Sequence, residues 1–374
     1  SLMASEALAG YGLNDKIAIA QFGIVMSGFV SIAAGFIVNR FGQDTIEKIL
    51  PASITGPIAM VIGLTLAGTA LQDAASIAID AAGTPAVPES QAAFATNMAW
   101  VVSLVTLIAT ILFSVYLKGF AGQIPLLLGP IVGCLTAFII RLATGIDLFK
   151  VLPETANSGF FAFPIFTLPK PTWMAVMAIM PVAIATIPES TAHIYQLDIY
   201  VNDLANKKKV GKKYNIAELL GLNLIGDGLG DIVAGLIGGP AGTNYGENIS
   251  AMAITRVFSI PVLIAASIIA MVISCFTPLI NAIYSIPTSV IGGMEIYLFG
   301  AIAAQGVAIM IEKKVDMFSA RNIAVIATIM VIGLGGQYAY GGNIPFFGIE
   351  IPCIAGAAIF GIIMNLILNI GKRK

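Results

Sequence analysis

The stretch GGPAGTNYGENISAMAITRV, residues 238–257, decides how the rest of the chain is understood. It lies within a very apolar sequence, yet it holds few bulky apolar residues, several glycines, Pro240 and the ionisable Glu247. A continuous helix disfavours Gly238, Gly239, Pro240, Ala241 and Gly242 in succession, because glycine costs about 1 and proline about 3 kcal/mol in a helix interior. The backbone is therefore expected to be extended from Pro240 to Tyr245, with a half-helix starting near Tyr245 to Glu247. Open backbone at membrane depth is tolerated only where protein buries it or where it lines a wet cavity. A half-helix there aims its N-terminal amides into that cavity, and a mid-membrane carboxylate such as Glu247 is a functional candidate by default. The plain alternative is a carboxylate that only caps its own half-helix.

Membrane depth follows from composition. Of 374 residues, 58% are hydrophobic and 10% charged, and the mean hydropathy is +0.94, which leaves too little polar surface for a water-soluble globule. Apolar runs near 17–38, 52–71, 98–117, 122–142, 172–195, 216–237, 259–283, 288–311, 322–340 and 350–370 have the length needed to cross the hydrocarbon core. With 238–257 as an interrupted crossing, about eleven passages are expected. Arg40, Lys48, Lys118, the cluster Lys207 to Lys213, Arg256, Lys313, Lys314, Arg321 and the basic tail then fall on one side, which marks it as cytoplasmic. The opposite loops are poor in basic residues, and Trp100 and Trp173 are expected to anchor at that outer interface.

The lysine cluster is a topology signal in a short cytoplasmic loop, and nothing in it calls for nucleic acid. Cys134, Cys275 and Cys353 stand apart within apolar runs, and with a single histidine they offer neither a disulfide framework nor a metal cluster. Neither an enzyme's nucleophile and base nor a bound cofactor is expected. The beginning SLMASEALAGYGLND has no charged-then-apolar leader, and eleven passages place the N-terminus outside, so the start is expected to be a cut.

A second break is expected at IPESTAHIY, where Pro188 precedes Glu189 and His193. The i, i+4 spacing puts this acid and the imidazole on one helical face. Such a pair can pass a proton and shift both groups' titration, as a proton-coupled carrier requires. Among weaker candidates, Asp227 and Asp231 in GDGLGD share a glycine-rich passage, in which Gly226 and Gly230 are expected to form a small-residue packing face. Glu295 in IGGMEIYLFG is an acid in an otherwise apolar passage, facing either a pocket or a packed, water-lined position.

NYGENISAMAITRV closely resembles the signature of the nucleobase:cation symporter-2 (nucleobase–ascorbate) transporters, Gln/Glu/Pro-Asn-x-Gly-x-x-x-x-Thr-Arg/Lys/Gly. Glu247, Asn248, Thr255 and Arg256 occupy its fixed positions, with Ser250 where the pattern has glycine. MAIMPVAIATIPESTAH looks like the family's other half-site, in which Glu189 and His193 match the acid and histidine of bacterial uracil permeases. The resemblance implies an all-α integral membrane fold of two inverted seven-segment repeats with core and gate domains, one passage being broken by a short strand. It implies core at 1–50 and 172–283 and gate at 51–171 and 284–374, and places the first two segments and the third segment's strand ahead of Ser1.

The resemblance also implies proton-coupled uptake of a nucleobase, uracil first, across the bacterial cytoplasmic membrane, with xanthine or another purine as the alternative. Glu189, Glu247, Gly246 and Tyr245 are the expected substrate contacts, and His193 with Glu189 the proton-coupling pair. Asn248, Thr243, Glu295 and Asp227 are further candidates. The proton is the coupling ion, the bilayer and a small nucleobase are the partners, and carriers with mobile gates often form homodimers. An anion carrier of similar architecture competes, but it should place basic or neutral residues where this chain has Glu247.

Overall fold

The computed structural model describes residues 10–41, 50–78, 87–119, 121–152, 159–180, 182–242, 244, 248–249, 252, 256–346 and 349–370. Helices dominate. In chain order they are α1 (Leu13–Phe41), α2 (Ala52–Thr65), α3 (Ala67–Ala74), α4 (Ala92–Tyr116), α5 (Pro125–Thr144), α6 (Trp173–Ile179), α7 (Val182–Lys207) and α8 (Leu220–Ile237). They continue with α9 (Ile260–Ser274), α10 (Thr277–Tyr284), α11 (Thr288–Glu312), α12 (Ala320–Tyr340) and α13 (Cys353–Ile370), and strands β1 (Asn343–Phe346) and β2 (Ile349–Pro352) lie between the last two. Among the described residues, eight helical stretches are long and apolar enough to cross a membrane, and each overlaps an expected passage.

Two other expected passages are divided. Over 172–195, α6 ends at Ile179 and α7 runs from Val182 through Pro188 to Lys207. The break expected at Pro188 thus falls earlier, between Ile179 and Val182. A helix that starts just after a proline gives up nothing, because first-turn N–H groups have no intrahelical partner. A proline inside a membrane helix forfeits one bond, which its surroundings tolerate. Over 259–283, α9 stops at Ser274 and Phe276 forms an antiparallel bridge with Phe161. Ala162 N donates to Cys275 O at 3.0 Å and Thr277 N to Phe160 O at 3.2 Å, so the opened backbone finds partners.

The chain divides into two compact units, Ser1–Thr65, Ile165–Ser250 and Ile302–Lys374 in one, Leu66–Pro164 and Ala251–Ala301 in the other. In the second unit, Ala95, Ala99 and Val102 of α4 pack with Ala137 and Ile140 of α5 and Val290 of α11. In the first, Ile54, Ile58 and Val61 of α2 pack with Val325 and Ile329 of α12 and Ala357 and Ala358 of α13. Between α12 and α13 the chain turns through Gly341 and Gly342, both at positive φ, into the hairpin, where Asn343 pairs with Pro352 and Phe346 with Ile349.

The tightest packing in the first unit joins α1 to α8. A Cβ on Gly28 would lie 2.6 Å from Gly228 O, and one on Gly35 would lie 2.6 Å from Gly221 O. Gly221, Gly228 and Gly235 recur at a spacing close to two full turns, which keeps them on one face. Gly226 and Gly230, expected to form the packing face, have nothing within 4 Å. They lie on other faces of α8, and the small-residue pair visible in sequence is not the pair in contact.

The lysine-rich connection from α7 to α8 is folded back on α7. Asn202 Nδ2 donates to Tyr214 O at 2.8 Å and Tyr214 N to Asn202 Oδ1 at 2.9 Å. Asp198 Oδ1 accepts from Ile216 N at 2.7 Å and Ala217 N at 3.2 Å. Asp198 thereby satisfies amides that open the α8 segment, as an N-cap side chain does from a nearer position.

Candidate functional site

The broken stretch begins where α8 ends. Gly238 adopts φ 102°, a left-handed cap, and the amides of Gly238 and Gly239 both donate to Ala234 O, at 3.1 and 2.8 Å. Residues 239–242 then leave the helix without regular structure, as the glycine and proline run requires. Gly242 N donates to Asp231 Oδ1 at 2.8 Å, and Asp231 is only 7% exposed. A carboxylate nearly two turns inside α8 thus holds the chain just beyond the helix end.

Gln21 of α1 fastens the same corner. It is 1% exposed, and its Nε2 donates to Gly235 O at 2.7 Å and to Thr167 O at 2.8 Å, while its Oε1 accepts from Thr167 Oγ1 at 2.7 Å. Gly235 O is one of the last carbonyls of α8, a group that a helix terminus leaves without an intrahelical donor. Thr167 in turn crowds Gly238, where a Cβ would lie 2.9 Å from Thr167 Oγ1. Lys170 N donates to Ala18 O at 2.8 Å, so the extended segment ahead of α6 lies against α1.

Glu189 and His193 both lie within α7, one turn apart, and His193 is 8% exposed. Ser190, beside them, is fully buried, and its hydroxyl has no hydrogen-bond partner among the described residues. Ile187 and Ile194 of α7 pack with Val38 of α1 and Leu220 and Leu224 of α8, which joins the three helices. Asp227 lies in α8 one turn before Asp231, close enough for the two carboxylates to interact.

Of the remaining candidates, Thr243, Tyr245, Gly246 and Glu247 lie outside the described residues, and Asn248 is helical and exposed. Asn244 is half-buried, with its Nδ2 enclosed and unpartnered among the described residues. Arg256 adopts φ 57°, and the next amide, Val257 N, donates to Met252 O at 3.2 Å. Arg256 thus stands in the left-handed region, where glycine is favoured and where the signature allows Arg, Lys or Gly. Glu295 belongs to the other unit, on α11, where Asp73 and Lys150 are its charged neighbours. Among the described residues no group of three His, Cys, Asp or Glu side chains could hold a metal ion, and the three cysteines are free.

Gln21 and Thr167 are not singled out from sequence, and Asp231 stands there only as a weaker candidate beside Asp227. A proline-and-glycine run after a helix signals an end that needs partners, but it does not say which distant side chains supply them.

A model of the Permease family matches residues 2–340. The chain belongs to that family. It is 36% identical over 355 residues to the uracil permease of Bacillus caldolyticus, covering 93% of this chain and 74% of the relative. To the uracil permease of Bacillus subtilis (strain 168) it is 34% identical, covering 95% and 77%, and to that of Escherichia coli (strain K12) 31% identical, covering 94% and 75%. Its structure is similar to the transmembrane domain of a cyanobacterium bicarbonate transporter, BicA, with a TM-score of 0.52 and 16% identity over 98% of this chain and 80% of that one. That likeness concerns fold, and it agrees with an inverted-repeat transporter. This Permease-family chain is a multi-pass protein of the bacterial cytoplasmic membrane and a transporter rather than an enzyme.

Proposed function

We propose that this permease carries uracil across the cytoplasmic membrane by alternating access, coupled to a proton. The observation that carries the reading is the juncture of α1, α7 and α8 in one unit. There the Glu189–His193 turn shares a unit with the anchored helix end that leads into the Glu247 signature. Relatives named uracil permeases, 31 to 36% identical over most of the chain, support the substrate.

Uracil presents two ring N–H donors and two carbonyl acceptors. Carboxylates at Glu189 and Glu247 can accept from the N–H groups, and the amides of Tyr245 and Gly246 can donate to an oxygen. Each charge-assisted bond contributes about 1.5–3 kcal/mol, enough together for micromolar affinity against the cost of ordering. His193, a turn from Glu189, takes the proton that links binding to the gradient. Asn248, Thr243 and Asp227 support this constellation. The core and gate halves and a homodimer belong to the same proposal.

Xanthine also presents N–H beside C=O, so a binding series decides between the two. Purified protein should bind radiolabelled uracil more tightly than xanthine, and Glu247→Gln should lose most of that binding. Unchanged equilibrium binding of every accepted base by Glu247→Gln would remove that residue from the site. Failure of the unaltered protein to bind any nucleobase would overturn the substrate class.

A further inference from the structure

We infer that Asp231 is the positioning residue of the broken helix, fixing through Gly242 the backbone from which the signature segment starts. The inference rests on the proposed uracil site for its functional consequence and on geometry alone for the anchor. Asp231 is buried, its Oδ1 receives Gly242 N at 2.8 Å, and it projects from the same helix that Gln21 clamps at Gly235, one turn further on.

The physical requirement is specific. Once α8 ends at Gly238, the N–H groups of Ala241 and Gly242 are no longer helical donors to the chain behind them, Gly239 N still reaches Ala234 O, and Pro240 has no N–H to place. An amide at membrane depth needs an acceptor. Any buried acceptor would satisfy that need. One fixed on α8 also sets the direction in which the chain departs, because α8 is itself locked to α1 by the glycine contacts at Gly228 and Gly221. Gly242 precedes Glu247 by five residues, so the anchor fixes the point from which the chain leading to that carboxylate starts.

Asp231 differs from Asp227 in this respect. Both lie in the same glycine-rich turn, but among the described residues only Asp231 bonds to the stretch beyond the helix. An asparagine side chain offers the same Oδ1 acceptor, and alanine offers none. The acceptor, not the charge, is what the anchor needs.

The test uses the full chain in detergent or nanodiscs and two readouts. Without ligand, hydrogen exchange at the Gly242 amide should speed up at least tenfold in Asp231→Ala, with most of the protection recovered in Asp231→Asn. Radiolabelled uracil should bind about tenfold more weakly in Asp231→Ala, as expected for loss of one buried hydrogen-bond acceptor, and Asp231→Asn, which keeps the acceptor, should recover most of that loss. Should Asp231→Ala not fold, Gly242→Pro removes the donor instead and carries the same expectation. Exchange and affinity unchanged in a folded Asp231→Ala, or an Asp231→Asn as defective as alanine, would overturn the inference. An unaltered protein that binds no uracil would instead overturn the proposed substrate, and the exchange result would still decide the anchor.

Discussion

Placing a methyl group on Gly28 tests whether the α1–α8 contact holds the site together. The added Cβ would lie 2.6 Å from Gly228 O and 2.8 Å from Ile232 Cγ1, against an ordinary contact of at least 3.4 Å. The two backbones must part locally by roughly 0.8 Å, and overpacking of this kind costs about 1–3 kcal/mol. Passed along the helix, the same displacement takes the Gln21 bond to Gly235 O, now 2.7 Å, to the edge of hydrogen-bonding range and removes about 1 kcal/mol more. Gly230→Ala on α8 is the internal control. Nothing lies within 4 Å of that position, and replacing a mid-helix glycine by alanine stabilises by about 0.5–1 kcal/mol. The helix gain applies to both positions and cancels, so the two single-methyl variants should differ by roughly 2–4 kcal/mol, with Gly28→Ala the less stable. Reversible unfolding in mixed SDS micelles, followed by far-ultraviolet circular dichroism, measures this. Adding Gly228→Ala to Gly28→Ala should cost less than the separate losses combined, since both methyls open one interface. A Gly28→Ala protein as stable as Gly230→Ala would refute the close-contact account.

Three further outcomes are expected. Gln21→Leu leaves Gly235 O and both Thr167 groups without a buried partner and should destabilise by about 2–4 kcal/mol in the same unfolding assay; a loss under about 0.5 kcal/mol would show that water or another group replaces it. Arg256→Gly, at a residue with φ 57°, should be neutral or stabilise by up to about 1 kcal/mol, whereas Arg256→Val should destabilise more than it; the reverse order would argue against the left-handed conformation. Asn202→Ala frees the lysine loop from Tyr214 and should raise the trypsin cleavage rate between α7 and α8 by about tenfold, and a cleavage rate equal to that of the unaltered protein would place the loop's order elsewhere.

The amino-acid sequence by itself determined the solvent, the spans and the break. Long apolar runs can cross a bilayer only as helices that satisfy their own backbone, so Leu13–Phe41, Pro125–Thr144 and Ala320–Tyr340 are legible without any tertiary contact. The run from Gly238 to Gly242 cannot continue a helix, so the end of α8 is legible too. The hairpin at 343–352 was not, because ten residues with Pro345 and Pro352 carry too little alternation to signal paired strands. Nor was the choice of glycines: Gly226 and Gly230 form the familiar close pair, but Gly221, Gly228 and Gly235 make the contact, since a packing face depends on which side a second helix approaches. For the site, Glu189, His193 and Glu247 stood out as ionisable groups in apolar surroundings, a cost visible in any single segment. Gln21 and Thr167 did not, and the role of Asp231 did not, because their work is to pair backbone groups elsewhere in the chain, and only tertiary structure decides which orphaned carbonyl or amide meets which buried side chain.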